Sequence, residues 1–192
     1  MAVFVATAQR GLPPTPYDQA IAAATRGDWQ LETLVRAVIT RESGWEPGAI
    51  NPEPGSRYGP SYGLMQVTLP TARLFDPTIQ PDDLLDPWLN VAVGTEYLRD
   101  LLGRYPVLSD AIAAYNAGTP RRDAQGRYIN ESHVSDVVGY YTFYQNRLPA
   151  ITEEVGATIP AEDASPTGTG AIWLAAGLLL AALAAGAWRA RR

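Results

Sequence analysis

The chain of 192 residues holds few residue types that could do chemistry. Cysteine is absent, which excludes a thiol nucleophile, a disulfide framework and a thiolate metal site. A single histidine, His133, argues against a His-based metal site and against a Ser-His-Asp triad. Neither a cofactor nor a metal is expected. What remains is carboxylate chemistry, and one carboxylate stands out. In the run Ile39-Thr40-Arg41-Glu42-Ser43-Gly44-Trp45, Glu42 continues a stripe formed by Leu31, Leu34, Val35, Val38 and Ile39. Those spacings are those of one apolar helix face, so Glu42 is expected on the core side. Gly44 then ends the helix. Lost water and the negative C-terminal end of the helix both favour the protonated carboxyl, which suits Glu42 to donate a proton near neutral pH. The alternative is a solvated Glu at a frayed helix end.

Other elements must hold that residue. Residues 1–16 read as an extended leader. Tyr17–Arg26 is a short helix closed by Gly27, and the Glu42 helix follows. Residues 44–63 contain five glycines and four prolines, which predicts a long loop or a small irregular β region. Pro70–Phe75 starts a short helix with Thr68 as its cap. Asp86-Pro87 is an N-cap followed by proline at the first helical position, and that helix runs on through Tyr97, Leu98, Leu101 and Leu102. Ser109 is expected to cap Asp110–Ala117, which Gly118 ends. Ser132 is expected to open the last helix, with Val134, Val137, Val138, Tyr141, Gln145 and Leu148 on one face. Residues 17–150 thus form a mainly helical domain large enough to fold alone.

Beyond it the composition changes. Residues 151–170 form a polar, acidic linker without periodicity. Residues 171–188, AIWLAAGLLLAALAAGAW, carry no charge. At ~1.5 Å per residue this run spans about 27 Å, close to the ~30 Å of a hydrocarbon core. Trp173 and Trp188 stand near its ends as interfacial anchors, so a transmembrane helix is expected. Residues 189–192 are a basic tail. The net charge is −5 and no basic stripe exists, which argues against nucleic acid as a partner. The first residues lack the basic start and the long apolar run of a signal peptide.

Three further stretches accompany Glu42-Ser43: Gly63-Leu64-Met65-Gln66, the run Asp86-Pro87 through Asn90 to Gly94-Thr95, and Ala114-Tyr115-Asn116-Ala117-Gly118. In this order they resemble the catalytic domain of the soluble lytic transglycosylase family, a branch of the lysozyme superfamily, from about Tyr17 to Leu148. The resemblance implies an α+β lysozyme-like fold and an enzyme acting on peptidoglycan strands. In that family one Glu protonates the glycosidic oxygen between N-acetylmuramic acid and N-acetylglucosamine. It then serves as base for the muramyl 6-hydroxyl, which closes a 1,6-anhydro ring. The intramolecular attack gains effective molarity and replaces the second carboxylate of ordinary glycosidases.

Carried over residue by residue, Glu42 is the catalytic group. Ser43 would orient it, or merely cap beside Gly44. Met65 and Gln66 would line the sugar cleft, Gln66 through its amide, while Met65 serves equally as packing. Tyr115 and Asn116 would face Glu42, although a Tyr on a helix is commonly core. Ser61 and Tyr62 precede Gly63 and are candidate substrate contacts. One departure is clear. The family places a Tyr before a Val-x-x-Val run in its last helix, and here His133 precedes Val134-Ser135-Asp136-Val137. His133 would bond in the cleft in its place, or lie on the surface beside Ser132 with Tyr128 or Tyr140 serving instead.

Two other readings compete. A muramidase on the same fold would use an Asp to position water, with Asp76, Asp82, Asp83 and Asp86 as candidates. A glycan-binding virion protein without catalysis would not need Glu42. The membrane segment, the basic tail after it and the missing signal peptide together suggest a virion membrane enzyme of a bacteriophage, brought to the cell wall at infection.

Overall fold

The computed structural model describes residues 12–52 and 58–147. The linker, the apolar run 171–188 and the basic tail lie outside the described residues. Among the described residues no helix is long and apolar enough to cross a membrane.

Helix α1, Asp18–Thr25, is followed by α2, Trp29–Glu42. Arg26 adopts a left-handed conformation one residue before Gly27, so the turn between them starts earlier than the glycine alone indicates. The Asp28 carboxylate caps α2 by accepting from the amides of Gln30 and Leu31. All five stripe residues of α2 are buried, but so are Glu32, Thr33, Arg36 and Ala37. The helix is therefore enclosed on every side between residues 31 and 39, which is the pattern of a central element rather than an amphipathic one. Arg36 is fully buried and pairs with Asp18 at 2.7 Å and with Glu32 at 3.4 Å, which fastens α1 to α2. Each buried Val, Leu or Ile of this helix contributes about 1.5–3 kcal/mol of transfer free energy.

The glycine- and proline-rich region is the small irregular sheet foreseen as one of two alternatives. Strands β1 (Ile50–Asn51), β2 (Ser61–Tyr62) and β3 (Val67–Thr68) pair antiparallel in that order, with Ile50 opposite Tyr62 and Tyr62 opposite Val67. Thr68 caps the one-turn helix α3, Leu69–Ala72, as its position predicts. A 3-10 turn, Pro81–Leu85, leads into α4, Pro87–Arg104, whose cap is Asp86 accepting from Leu89.

Two caps differ from expectation. Helix α5 is Leu108–Ala117, and its first turn closes on the Val107 carbonyl, which accepts from the amides of Asp110 and Ala111. Ser109 thus lies inside the turn it was expected to cap. Helix α6, Glu131–Gln145, likewise starts at Asn130, so Ser132 is its second residue. Its buried face holds His133, Val134, Val137 and Tyr144, with Val138, Tyr141 and Gln145 half-buried at the margin. Leu148 lies outside the described residues. Helix α6 packs along α2, α1 along α4, and α5 bridges α4 and α6.

Candidate active site

Glu42 is the last residue of α2, where the enclosed helix comes out of the core. Its side chain keeps 13% exposure, so the carboxyl is shielded yet reachable. The backbone turns sharply after it. Gly44 and Trp45 both have positive φ, 59° and 74°, and for Trp45 this is an outlier that costs about 1–3 kcal/mol. The surroundings hold it in place: the Trp45 indole N–H donates to Thr40 Oγ1 at 3.1 Å and its ring lies parallel to Tyr17. Ser43 is used within this turn. Its hydroxyl donates to the Ile39 carbonyl and accepts from the Trp45 amide.

Opposite stands the turn Gly63–Gln66 between β2 and β3. Its anchor is Asn90, fully buried on α4. The Asn90 amide donates to the carbonyls of Tyr62 and Leu84 and accepts from the Met65 N–H, each at 2.8 Å. Gly63 has φ 71°, and an added Cβ there would sit 2.4 Å from the Asn90 amide nitrogen and 2.5 Å from the Leu84 carbonyl. Gly94 admits Met65 in the same way, since a Cβ would fall 2.6 Å from its sulfur. Met65 is fully buried, so its side chain packs. The Gln66 amide is directed inward, donating to the Ala49 and Gly63 carbonyls and accepting from buried Ser61 at 2.8 Å. Gln66, with φ 49°, and Ser61 thus brace the turn.

The third wall is α5. The Tyr115 hydroxyl donates to the Met65 carbonyl at 2.9 Å, which ties α5 to the turn. Burial pushes the Tyr115 phenol well above its ordinary value, and the nearby Glu42 charge and Tyr97 push the same way. Tyr115 therefore stays protonated beside the carboxylate. Asn116 is exposed and accepts from the Asn130 amide at 3.0 Å. His133 closes the site from α6. It is 4% exposed, which removes the surface reading, and its Nε2 lies 3.8 Å from Glu42 Oε1. Tyr128 instead donates to Asp110 at 2.6 Å, and Tyr140 is exposed on α6 beside Phe143. Glu42, Tyr115 and His133 are thus brought together from three helices, with the Met65 turn behind Tyr115.

Residues 19–136 match the family model described as the Transglycosylase SLT domain. The chain belongs to that family. The SLT match takes in all four motifs, from Glu42-Ser43 through the α5 terminus, and His133 on α6. Among curated relatives, the membrane-bound lytic murein transglycosylase F of Vibrio cholerae is 40% identical over 98 residues, covering 47% of this chain and 16% of that protein. A putative soluble lytic murein transglycosylase of Haemophilus influenzae is 30% identical over 155 residues, 69% of this chain and 25% of that one. The X polypeptide of Escherichia coli is 33% identical over 130 residues, 64% of this chain and 75% of its own length. The chain therefore spans a minor part of the two transglycosylases and most of the X polypeptide.

Within this SLT domain three of the four aspartates considered for a second carboxylate have local duties. Asp76 accepts from the Thr78 amide and hydroxyl, which lowers its pKa, Asp83 accepts from the Gln80 amide, and Asp86 caps α4. Asp82 is exposed on the 3-10 turn. Sequence reasoning gave no role to Asn90 or Asn130. For Asn90 a signal existed: an amide at a helix position flanked by Leu89 and Val91, within the quoted motif. Asn130 joins the site only through the loop that returns from α5, which no spacing reveals.

Proposed function

We infer that the domain is a peptidoglycan lytic transglycosylase that cleaves the β-1,4 bond between N-acetylmuramic acid and N-acetylglucosamine, leaving a 1,6-anhydro-muramyl end. The observation that supports this best is Glu42 at the mouth of an otherwise enclosed helix, with Tyr115 and His133 beside it and Asp76, Asp83 and Asp86 engaged elsewhere. Glu42 gives its proton to the glycosidic oxygen. It then takes the proton of the muramyl 6-hydroxyl as that oxygen bonds to C1, so acid and base are one residue used twice. Tyr115 fixes the turn opposite, and exposed Asn116 is the amide offered to the glycan.

Mass spectrometry of digested sacculi tests the reading. Anhydro products are one water lighter than those of a muramidase, so hydrated ends would replace the transglycosylase with its hydrolytic counterpart. Glu42→Gln keeps size while removing the transferable proton, and should lose at least about 10²-fold in rate. Retention of a tenth of the wild-type rate would exclude Glu42 as the acid.

We further propose that residues 171–188 tether the domain to a membrane, supported by their uncharged sequence and the basic residues after them. Carriage in the membrane of a phage particle would deliver such a tethered enzyme to the outer face of the cell wall. The test is whether the full chain co-sediments with lipid-bearing particles and whether removal of 171–192 releases an active domain.

A further inference from the structure

His133 carries an anomaly. Its Nε2 is buried and has no hydrogen-bond partner, while Glu42 Oε1 lies 3.8 Å away. That distance exceeds a hydrogen bond, which for N–H···O is about 2.7–3.2 Å. A polar atom buried and unpaired is destabilising, so a fold that keeps one beside a carboxyl suggests a bond made in another state. The charged and titratable groups around the pair come from three elements. Arg41 and Glu42 face it from α2, Asp136 lies one turn further along α6 and pairs with Arg41 at 3.0 Å, and Tyr115 stands on the Glu42 side from α5.

We propose that His133 is a positioning residue for Glu42, its Nε2–H closing onto the Glu42 carboxylate as that carboxylate forms and withdrawing when the carboxyl is protonated again. The inference rests on Glu42 being the acid of the reaction described above. In the first half of that reaction the Glu42 O–H proton moves to the glycosidic oxygen, the C1–O bond breaks with its electron pair going to that oxygen, and Glu42 is left anionic. The Nε2–H then has an acceptor that did not carry a full charge before. In the second half the 6-hydroxyl oxygen bonds to C1, its proton returns to Glu42, and the bond to His133 relaxes. A donor that pairs only with developing charge lowers the barrier without tightening ground-state binding.

The charge state of the imidazole fits this role. Burial, helped by the Arg41 guanidinium and opposed by Asp136, lowers the His133 pKa to about 4, so it is neutral at the pH of the cell wall. An imidazolium at this distance would hold Glu42 ionised and remove the proton that the reaction needs. A neutral ring with its proton on Nε2, the tautomer this role requires, offers a donor and leaves the acid intact.

The test is kcat and KM on purified glycan strands between pH 4 and 9, with products identified by mass, for wild type, His133→Phe, His133→Gln and His133→Asn. The Gln amide nitrogen reaches as far as Nε2, whereas that of Asn reaches only to the position of Nδ1. His133→Phe should lower kcat about 10²-fold with KM nearly unchanged. Its alkaline limb should move to higher pH, because Glu42 has lost a donor that favours its charged form. His133→Gln should restore both quantities and His133→Asn neither. Wild-type kcat and limb in His133→Phe would overturn the proposal, and so would equal impairment in the Gln and Asn variants, which would mark a packing role. If His133→Phe does not fold, the Gln and Asn pair decides. Glu42→Gln serves as control. An active control, or products without the anhydro ring, would sink the reaction itself and this proposal with it. An inactive control beside an unaffected His133→Phe sinks this proposal alone.

Discussion

Replacing Asn90 with Ala removes the side chain whose three hydrogen bonds fasten the Gly63–Met65 turn and its neighbours to α4. Three bonds of 2.8 Å are lost, and the Met65 N–H and the carbonyls of Tyr62 and Leu84 lose the partner that Asn90 supplies. Asn90 is fully buried, so the groups it leaves lie away from bulk water. At about 1–3 kcal/mol for each unpaired buried group, with partial relaxation of the turn, the loss should be roughly 3–5 kcal/mol. That is a large share of the ~5–15 kcal/mol that holds a domain together. For a body of this size it corresponds to a fall in Tm of roughly 10–15 °C. Urea and thermal melts followed by tryptophan fluorescence measure the two quantities. Asn90→Asp separates hydrogen bonding from shape. A carboxylate can still accept from Met65 but meets two carbonyl oxygens with no proton to give, so the introduced carboxyl should have its pKa raised in the folded state. Its stability should be highest in acid and fall as pH rises through the carboxylate range, making the variant worse relative to wild type at pH 7 than at pH 5. An alanine variant within 1 kcal/mol of wild type, or an aspartate variant indifferent to pH, would refute the reasoning.

Tyr115→Phe removes the bond to the Met65 carbonyl and the phenol beside Glu42, so turnover on sacculi should fall at least about 10-fold while stability drops by only about 1 kcal/mol. Gly63→Ala meets both a positive φ and overlap with Asn90 and the Leu84 backbone, whereas Gly118→Ala meets a positive φ and only the end of the Tyr58 side chain at 3.0 Å. The first should therefore cost clearly more in a thermal melt than the second. The His133 pKa of about 4 lies below the unfolded value of about 6.5. Its neutral form thus contributes stability fully present above the unfolded value and lost as pH falls toward 4, by up to roughly 3 kcal/mol. His133→Gln should flatten that part of the stability curve between pH 7 and 4.5, seen in urea midpoints.

Much of this domain is legible in its sequence, for physical reasons that differ by element. Thr68, Asp86 and Gly118 were readable because caps act locally, through a side chain or a left-handed residue next to the helix they bound. Ser109 and Ser132 mislead because a serine near a helix start looks like a cap, while the actual starts are set by the Val107 carbonyl and by Asn130. The α2 stripe was correct as far as it went. It could not show that Arg36, polar by composition, would be buried, because its partner Asp18 comes from another helix. For the candidate site, motif order points to Glu42 and Tyr115, and the structure sets them near one another. Gln66 was expected to present its amide to sugar, yet that amide is bound to Ala49 and Gly63, a long-range fact beyond any local pattern. His133 is visible in the sequence only as a departure from a pattern, and its burial comes from the packing of α6 along α2, which no local pattern encodes.

The enclosure of α2 has a consequence for how the protein fails. Glu42 ends a helix that is buried on every side between residues 31 and 39, so its anchorage shares the stability of that stretch. Amide exchange along residues 31–39 should proceed through opening of the whole body, at the slow end of the range seen across a domain. Loss of the proposed glycan cleavage on heating should then coincide with that global opening and not precede it. A change that slows unfolding, placed anywhere in the helical body, should lengthen the working life of the site by the same factor.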